Sequence, residues 1–288
     1  MTRIGLALGG GGVRGLAHIL VLEALDELGC KPSLIAGTSM GAIIGALYAS
    51  GMSGRDIKET VRRHFISKDD KLKDVIEKRA DLLKWVDALV PELKRGGLIK
   101  TDRFLNYLFD EIRKTTFKDL DIPLIVIAAD YWAAQEVIFE SGALFPAIKA
   151  SMAVPGLFAP VSIEGKVLVD GGVVNPVPYD HIMKRCDVTI AVDVSRTRVR
   201  TKREMPSVLE SILGTFDIMQ AAVVAEKMRH RKPDIYIRPE IRDVRMLDFS
   251  KMETVFRKAQ PAIDEVRDKI AKIRTKKGVW SRLLTYLR

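Results

Sequence analysis

The chain has 288 residues, with 47 Lys and Arg against 37 Asp and Glu, a formal net charge of +10, and 47% hydrophobic residues. That length and apolar content support a sizeable core, and the ordinary use of Gly and Pro excludes collagen-like and low-complexity chains. Its two cysteines, Cys30 and Cys186, lie far apart with no CxxC or Cys/His ligand spacing, which argues against a disulfide scaffold and a structural zinc site.

Met1-Thr2-Arg3 leads directly into a short apolar run, without the longer h-region or small-residue cleavage site of a secretory signal. The expectation is a cytoplasmic protein. Residues 4–8, IGLAL, read as a buried strand, GGGGVRG at 9–15 as a glycine turn, and the helical spacing from Leu16 to Leu28 as a helix stopped by Gly29. SLIAG at 33–37 is a second strand and TSMGAIIGALYASG at 38–51 opens a helix rich in small residues. This cadence predicts an α/β fold with a mostly parallel sheet covered on both faces.

Residues 55–118 are highly charged and read as a helical insertion, with an apolar stripe from Trp85 to Leu93. Strands are predicted at 123–130 and 136–141, a small-residue helix at 143–153, a hairpin at 161–169 turning on Glu164-Gly165, and a core strand at 188–195. The segment 196–203 carries five basic residues in eight and reads as a solvated loop. The rest, from about 205 to 288, is predicted as a basic helical extension with a short strand at 234–239. No apolar run reaches the 18 or so residues that a membrane-spanning helix needs. No linker divides the chain, so one domain spanning 1–288 is expected.

The sharpest chemical signal is Gly37-Thr38-Ser39-Met40-Gly41, a G-x-S-x-G between a strand and a helix. That context makes a nucleophile elbow: the backbone reverses at Ser39, and Gly37 and Gly41 leave room for strand and helix to pass closely. Ser39 would stand at a helix N-terminus, where peptide dipoles favour developing negative charge. The bare amides around Gly11 and Gly12 could meet the attacked carbonyl oxygen as an oxyanion hole, where one donor is typically worth roughly 3 kcal/mol. Arg14 either holds this loop through carbonyl or carboxylate partners or is a surface arginine. Gly10 to Gly15 also spell G-x-G-x-x-G, but no acidic residue ends the second strand to hold a ribose, which argues against a dinucleotide site.

A serine nucleophile needs a base. His18, His64, His181 and His230 occupy no compelling strand-end loop, although His18 and His181 stay open as fallbacks. Asp170, ending a strand before Gly171-Gly172, is the better candidate. With an ordinary pKa near 4 it would be a weak base for a hydroxyl, leaving the alkoxide to be stabilised chiefly by the helix terminus and the glycine amides. Asp130 ends its own strand and reads either as site support or as an ordinary strand cap.

GGGGVRG, GTSMG and DGG in this order, with PAIKASMAVPGLFAPV at 146–161 and VNPVP at 174–178, resemble the patatin-like phospholipase family, most closely its compact bacterial members. The resemblance covers roughly residues 3–195. It implies a three-layer α/β/α sandwich and a Ser-Asp dyad acyl hydrolase, with Ser39 the nucleophile, Asp170 the base, Gly10, Gly11 and Gly12 the oxyanion loop, and Arg14, Gly37, Gly41 and Gly171 supporting the site. It also implies acyl-ester hydrolysis of the phospholipase A or lysophospholipase type, with no metal and no cofactor. A non-catalytic lipid-binding protein that keeps the fold is the alternative.

An acyl slot could come from residues 143–160 or from the Trp85 to Leu93 stripe, with Met40 and Phe158 near its mouth. At the carboxyl end Trp280, Leu283, Leu284 and Leu287 recur at helical spacing, and residues 265–288 hold eight basic and two acidic side chains. That pattern suits peripheral contact with an anionic membrane. The basic segments lack aromatic interleaving, so nucleic acid is not an expected partner.

Overall fold

The computed structural model describes residues 2–66, 112–195, 205–206, 208–242, 244–246 and 248–286, and of 64–66, 208–209 and 272–286 the backbone alone. The expected apolar stripe at Trp85 to Leu93 and the basic segment 196–203 lie outside the described residues, as do the side chains of Trp280 to Leu287.

The strands are β1 (Ile4–Leu8), β2 (Leu34–Thr38), β3 (Leu124–Asp130), β4 (Gln135–Phe139), β5 (Val161–Ile163), β6 (Lys166–Asp170), β7 (Val188–Val192) and β8 (Ile235–Ile237). They form one sheet in the order β5-β6-β3-β2-β1-β7-β8, with β4 also paired to β3. The β3-β2-β1-β7-β8 part is parallel, and β4, β5 and β6 join antiparallel at one end. Among the described residues the α-helices are α1 (Ala17–Glu27), α2 (Met40–Ala49), α3 (Gly54–Ile66), α4 (Leu144–Ser151), α5 (Asp180–Met183), α6 (Val208–His230) and α7 (Met252–Tyr286).

Strand side chains alternate between two cores, as a sheet covered on both faces requires. Leu6, Leu8, Ile35, Val126, Ile190 and Val192 pack with α1, α2, α3 and α7 on one face. Ala7, Ala36, Ile125, Ile127 and Ala191 pack with Tyr179, Ile182 and Val224 on the other. Val255, Ala259, Ile263, Val266 and Ile270 form a stripe along α7 buried in the first core, the 3.6-residue periodicity of an amphipathic helix. The carboxyl-terminal residues expected as an extension thus share the main core, and β8 lengthens the sheet beside β7. Ile57 and Val61 of α3, at the start of the expected insertion, are also buried there.

One topological detail positions the site. Ile127 of β3 pairs with both Thr38 of β2 and Ile138 of β4, while Ala128 pairs with both Asp170 of β6 and Val137 of β4. A residue in a sheet has only two edges, so β4 occupies one edge of β3 and β2 and β6 share the other. Where β2 stops, β6 arrives from the opposite direction and takes its place. The two strand ends, at Thr38 and Asp170, therefore meet at consecutive positions along β3, a spacing of roughly 3.3 Å.

Candidate active site

Ser39 sits at the junction of β2 and α2 with φ 55° and ψ −122°, a backbone conformation that costs a non-glycine residue on the order of 1–3 kcal/mol. The surroundings enforce it. A Cβ on Gly37 would lie 2.6 Å from the Gly41 carbonyl oxygen, and one on Gly41 would lie 2.0 Å from the Leu8 carbonyl oxygen. The Ser39 amide donates to Ser151 Oγ at 2.8 Å, and Thr38 Oγ1 donates to the Asn175 carbonyl at 2.8 Å. Strand, elbow and helix can follow this path only without side chains at those two glycines. Gly41→Ala should therefore destabilise the protein by about 3 kcal/mol or more, measured as a lower urea midpoint at unchanged slope.

Asp170 is wholly buried. Its Oδ1 accepts the Gly172 amide at 2.7 Å, and its own amide donates to the Ala153 carbonyl at 3.0 Å. Gly171 lets the turn after β6 press on β3, since a Cβ there would lie 2.3 Å from the Ile127 carbonyl oxygen. Burial pushes the Asp170 carboxyl up to about 7, against the opposing influence of the Gly172 amide and the Ser39 hydroxyl, both of which favour the charged form. This corrects the expectation of an ordinary carboxylate: desolvation makes Asp170 a far better base than its sequence neighbours imply. Ser39 approaches closely enough to influence the ionisation, yet Oδ2 has no closed hydrogen bond.

The glycine loop lies against this pair, for a Cβ on Gly10 would come within 3.3 Å of Ser39 Cβ. Its three expected donors are not equivalent. The Gly10 amide, expected as an oxyanion donor, donates to the Pro176 carbonyl at 2.9 Å in this structure. The amides of Gly11 and Gly12 have no such partner among the described residues. Gly12 adopts φ 58° with the Met246 carbonyl oxygen 2.3 Å from where its Cβ would be, so only glycine fits.

Arg14 is fully buried and is not a surface arginine. Its guanidinium donates to the Val194 carbonyl at 3.1 Å, the Val244 carbonyl at 3.3 Å and Asp217 Oδ1 at 3.0 Å. It thereby ties the loop to the end of β7, to α6 and to the segment before α7. Removing one partner of such a buried pair typically costs about 3–5 kcal/mol, because the other charge is left desolvated. His18 is a second tether. Its Nε2 lies 2.8 Å from the Gly9 carbonyl, and burial pushes its pKa down to about 4, so the neutral ring donates to Gly9. It braces the loop from behind and does not face Ser39 in any described contact.

His181 pairs with Glu136 at 2.9 Å, and His230 pairs with Glu226 on the surface; the His64 side chain lies outside the described residues. Asp130 Oδ1 accepts the amides of Trp132 and Ala133 at 3.0 and 3.1 Å, which makes it the cap of the β3–β4 turn. Phe158 packs with Val154, Leu157, Phe216 and Met246 in a small apolar cluster. That cluster adjoins the site, since a Cβ on Gly172 would approach Phe216 and one on Gly12 would collide with Met246. Met40 is buried against Gly15.

The sequence motifs did not reveal Ser151, Asn175, Asp217 or Gln220. Ser151 and Asn175 fall within stretches noted above for their resemblance. Asp217 and Gln220 sit on α6 with no local motif, although Asp217, Gln220 and Val224 follow helical spacing on its buried face. Gln220 packs on Gly172, with its Nε2 only 2.2 Å from the position of a Cβ there. Among the described residues no cluster of His, Cys, Asp or Glu could hold a metal ion, and no helix is long and apolar enough to cross a membrane.

Comparison with known proteins agrees with this architecture. The chain is 34% identical over 203 residues to an uncharacterized NTE family protein of Mycobacterium tuberculosis, covering 70% of this chain and 52% of that protein. It is 27% identical over 278 residues to Lysophospholipase NTE1 of Saccharomyces cerevisiae, covering 88% of this chain and 16% of that protein. The chain thus spans about half the length of the mycobacterial relative and a small part of the yeast one. Among solved structures, VipD from Legionella pneumophila superposes with a TM-score of 0.50 at 14% identity, covering 92% of this chain and 67% of that one, a likeness of fold. Residues 6–183 match the family described as Patatin-like phospholipase, and with the mixed, mostly parallel sheet flanked by helices, the chain belongs to the patatin-like phospholipase family.

Proposed function

We propose that this protein is a lipid acyl-ester hydrolase of the phospholipase A or lysophospholipase type, with Ser39 as nucleophile and Asp170 as its single general base and acid. The observation that carries the reading is the meeting of β2 and β6 on β3, which sets a strained serine at a helix N-terminus beside a buried carboxyl raised to about 7. As Ser39 Oγ attacks the ester carbonyl carbon, Asp170 takes the hydroxyl proton. The carbonyl electrons move to oxygen, where the Gly11 and Gly12 amides and the first turn of α2 stabilise the charge. Collapse expels the alcohol, which leaves with the proton from Asp170, and the acyl group stays on Ser39. Water, deprotonated by Asp170, then attacks the acyl-enzyme, and as the second intermediate collapses Ser39 Oγ takes that proton back from Asp170 and the fatty acid is released. The cluster of Val154, Leu157, Phe158, Phe216 and Met246 supplies an apolar wall for the acyl chain.

The yeast relative's name supports lysophospholipids among the substrates. The test is a panel of p-nitrophenyl esters, lysophospholipids and diacyl phospholipids, together with labelling by a fluorophosphonate. Turnover of a lysophospholipid and labelling at Ser39 are expected. A folded protein that binds vesicles of these lipids without labelling or turnover would instead be a passive lipid binder.

Contact with an anionic membrane through the carboxyl end belongs to the same proposal, resting on the helical spacing of Trp280, Leu283, Leu284 and Leu287 with Arg282 and Arg288 nearby. Two cations near an anionic surface contribute about 1 kcal/mol each. Deleting residues 279–288 should lower cosedimentation with phosphatidylserine-containing vesicles at least about tenfold. Unchanged partitioning would remove the carboxyl end from the membrane contact.

A further inference from the structure

The short segment after Asp170 touches every part of the candidate site. The Asn175 amide donates to the Gly171 carbonyl at 2.8 Å, directly after the proposed base. The Asn175 carbonyl accepts Thr38 Oγ1 at 2.8 Å, directly before the proposed nucleophile. The next carbonyl, that of Pro176, accepts the Gly10 amide at 2.9 Å and so anchors the glycine loop. One stretch of backbone therefore sets the spacing of three loops that arrive from distant parts of the sequence.

The Asn175 side chain holds that stretch in place. It is buried, its Nδ2 donates to Glu136 Oε1 at 2.7 Å and Asp180 Oδ1 at 3.1 Å, and its Oδ1 accepts Lys227 Nζ at 2.6 Å. Carboxylates only accept and an ammonium only donates, so the amide fits in this orientation alone. Lys227 also bonds the Val177 carbonyl and Asp180, and His181 braces Glu136. The frame reaches from β4 through α5 to α6 and closes on one amide.

We propose that Asn175 is a positioning residue: its side-chain amide, locked between Glu136, Asp180 and Lys227, fixes the peptide that aligns Ser39, Asp170 and the glycine loop. This rests on the dyad reading above. A displacement on the order of 1 Å in such an arrangement lowers turnover about 100-fold without weakening substrate binding.

Asn175→Asp keeps the shape but sets a carboxylate against Glu136 and Asp180 in place of two donated hydrogen bonds. The expected result with a p-nitrophenyl ester is a fall in kcat of about 100-fold with KM changed less than about threefold, and an equal fall in the rate of fluorophosphonate labelling. Adding Glu136→Gln returns a donor opposite the introduced carboxylate and should recover at least about tenfold of the lost kcat. Asn175→Asp retaining kcat within about threefold of wild type would overturn the proposal, as would a folded double variant with no recovery. If Asn175→Asp does not fold, the double variant decides alone. Recovered kcat supports positioning, whereas failure of both to fold gives Asn175 a role in the fold and overturns it. Wild-type protein is assayed in parallel, so absent wild-type labelling would refute the dyad and not the role of Asn175.

Discussion

Ser39→Ala should abolish fluorophosphonate labelling and lower ester hydrolysis by about 10⁴-fold or more, the scale on which nucleophile removal acts when the rest of a site persists. In the proposed mechanism no acyl-enzyme forms without Oγ, and only the glycine amides and substrate binding remain to assist attack by water. Stability gives an independent check. Alanine at φ 55° is as strained as serine, so Ser39→Ala should melt close to wild type. Ser39→Gly, equally inactive, should be the more stable of the two variants by about 1 kcal/mol, because glycine accepts that backbone without strain. Persistent labelling of Ser39→Ala would move the nucleophile elsewhere. A glycine variant less stable than the alanine variant would mean that the elbow is not strained.

Asp170→Asn should lower kcat by about 10³-fold, within the range typical of losing a positioned general base. As the proposed base, Asp170, raised to about 7, must lose its proton before it can act. The ratio kcat/KM should then fall about tenfold per pH unit below about 7 and level off above it. The same burial has a thermodynamic consequence of the opposite sense. The folded carboxyl holds its proton to about pH 7 while the unfolded one releases it near 3.8, so between these values the native state binds more protons and loses stability as pH rises. Above about pH 7 the cost of the buried charge is fully present. Asp170→Asn removes it and should raise stability there by up to roughly 4 kcal/mol, with little gain near about pH 4. Thermal unfolding across this range, read beside the activity profile, checks both. A variant that is inactive yet no more stable at about pH 8 would mean that Asp170 is not desolvated, and a wild-type profile flat down to about pH 5 would remove it as the base.

The three motifs were legible because each answers a local steric demand. Gly37 and Gly41 flank a reversal that leaves no space for Cβ atoms, Gly12 takes a left-handed conformation, and Gly171 presses on a neighbouring strand. A requirement of that kind is written within a few residues. Alternating apolar strands and periodic helices were legible for the same reason, since burial of one face imposes its period on the chain.

The rest depended on which distant segments meet. Arg14 is held by groups 180, 203 and 230 residues away, and nothing beside it in sequence marks it as buried. Gly10 reads like Gly11 and Gly12 until Pro176 takes its amide. Asp170 reads in the sequence as the end of a strand before two glycines, and its raised proton affinity comes from its burial in the assembled chain. By itself the sequence determined the elbow, the glycine loop, the DGG turn and the layered α/β architecture, because short-range sterics and hydrophobic periodicity encode them. Only the tertiary structure decided that β6 succeeds β2 along one edge of β3, and with it the meeting of Ser39 and Asp170, since strand pairing and desolvation are properties of the assembled chain.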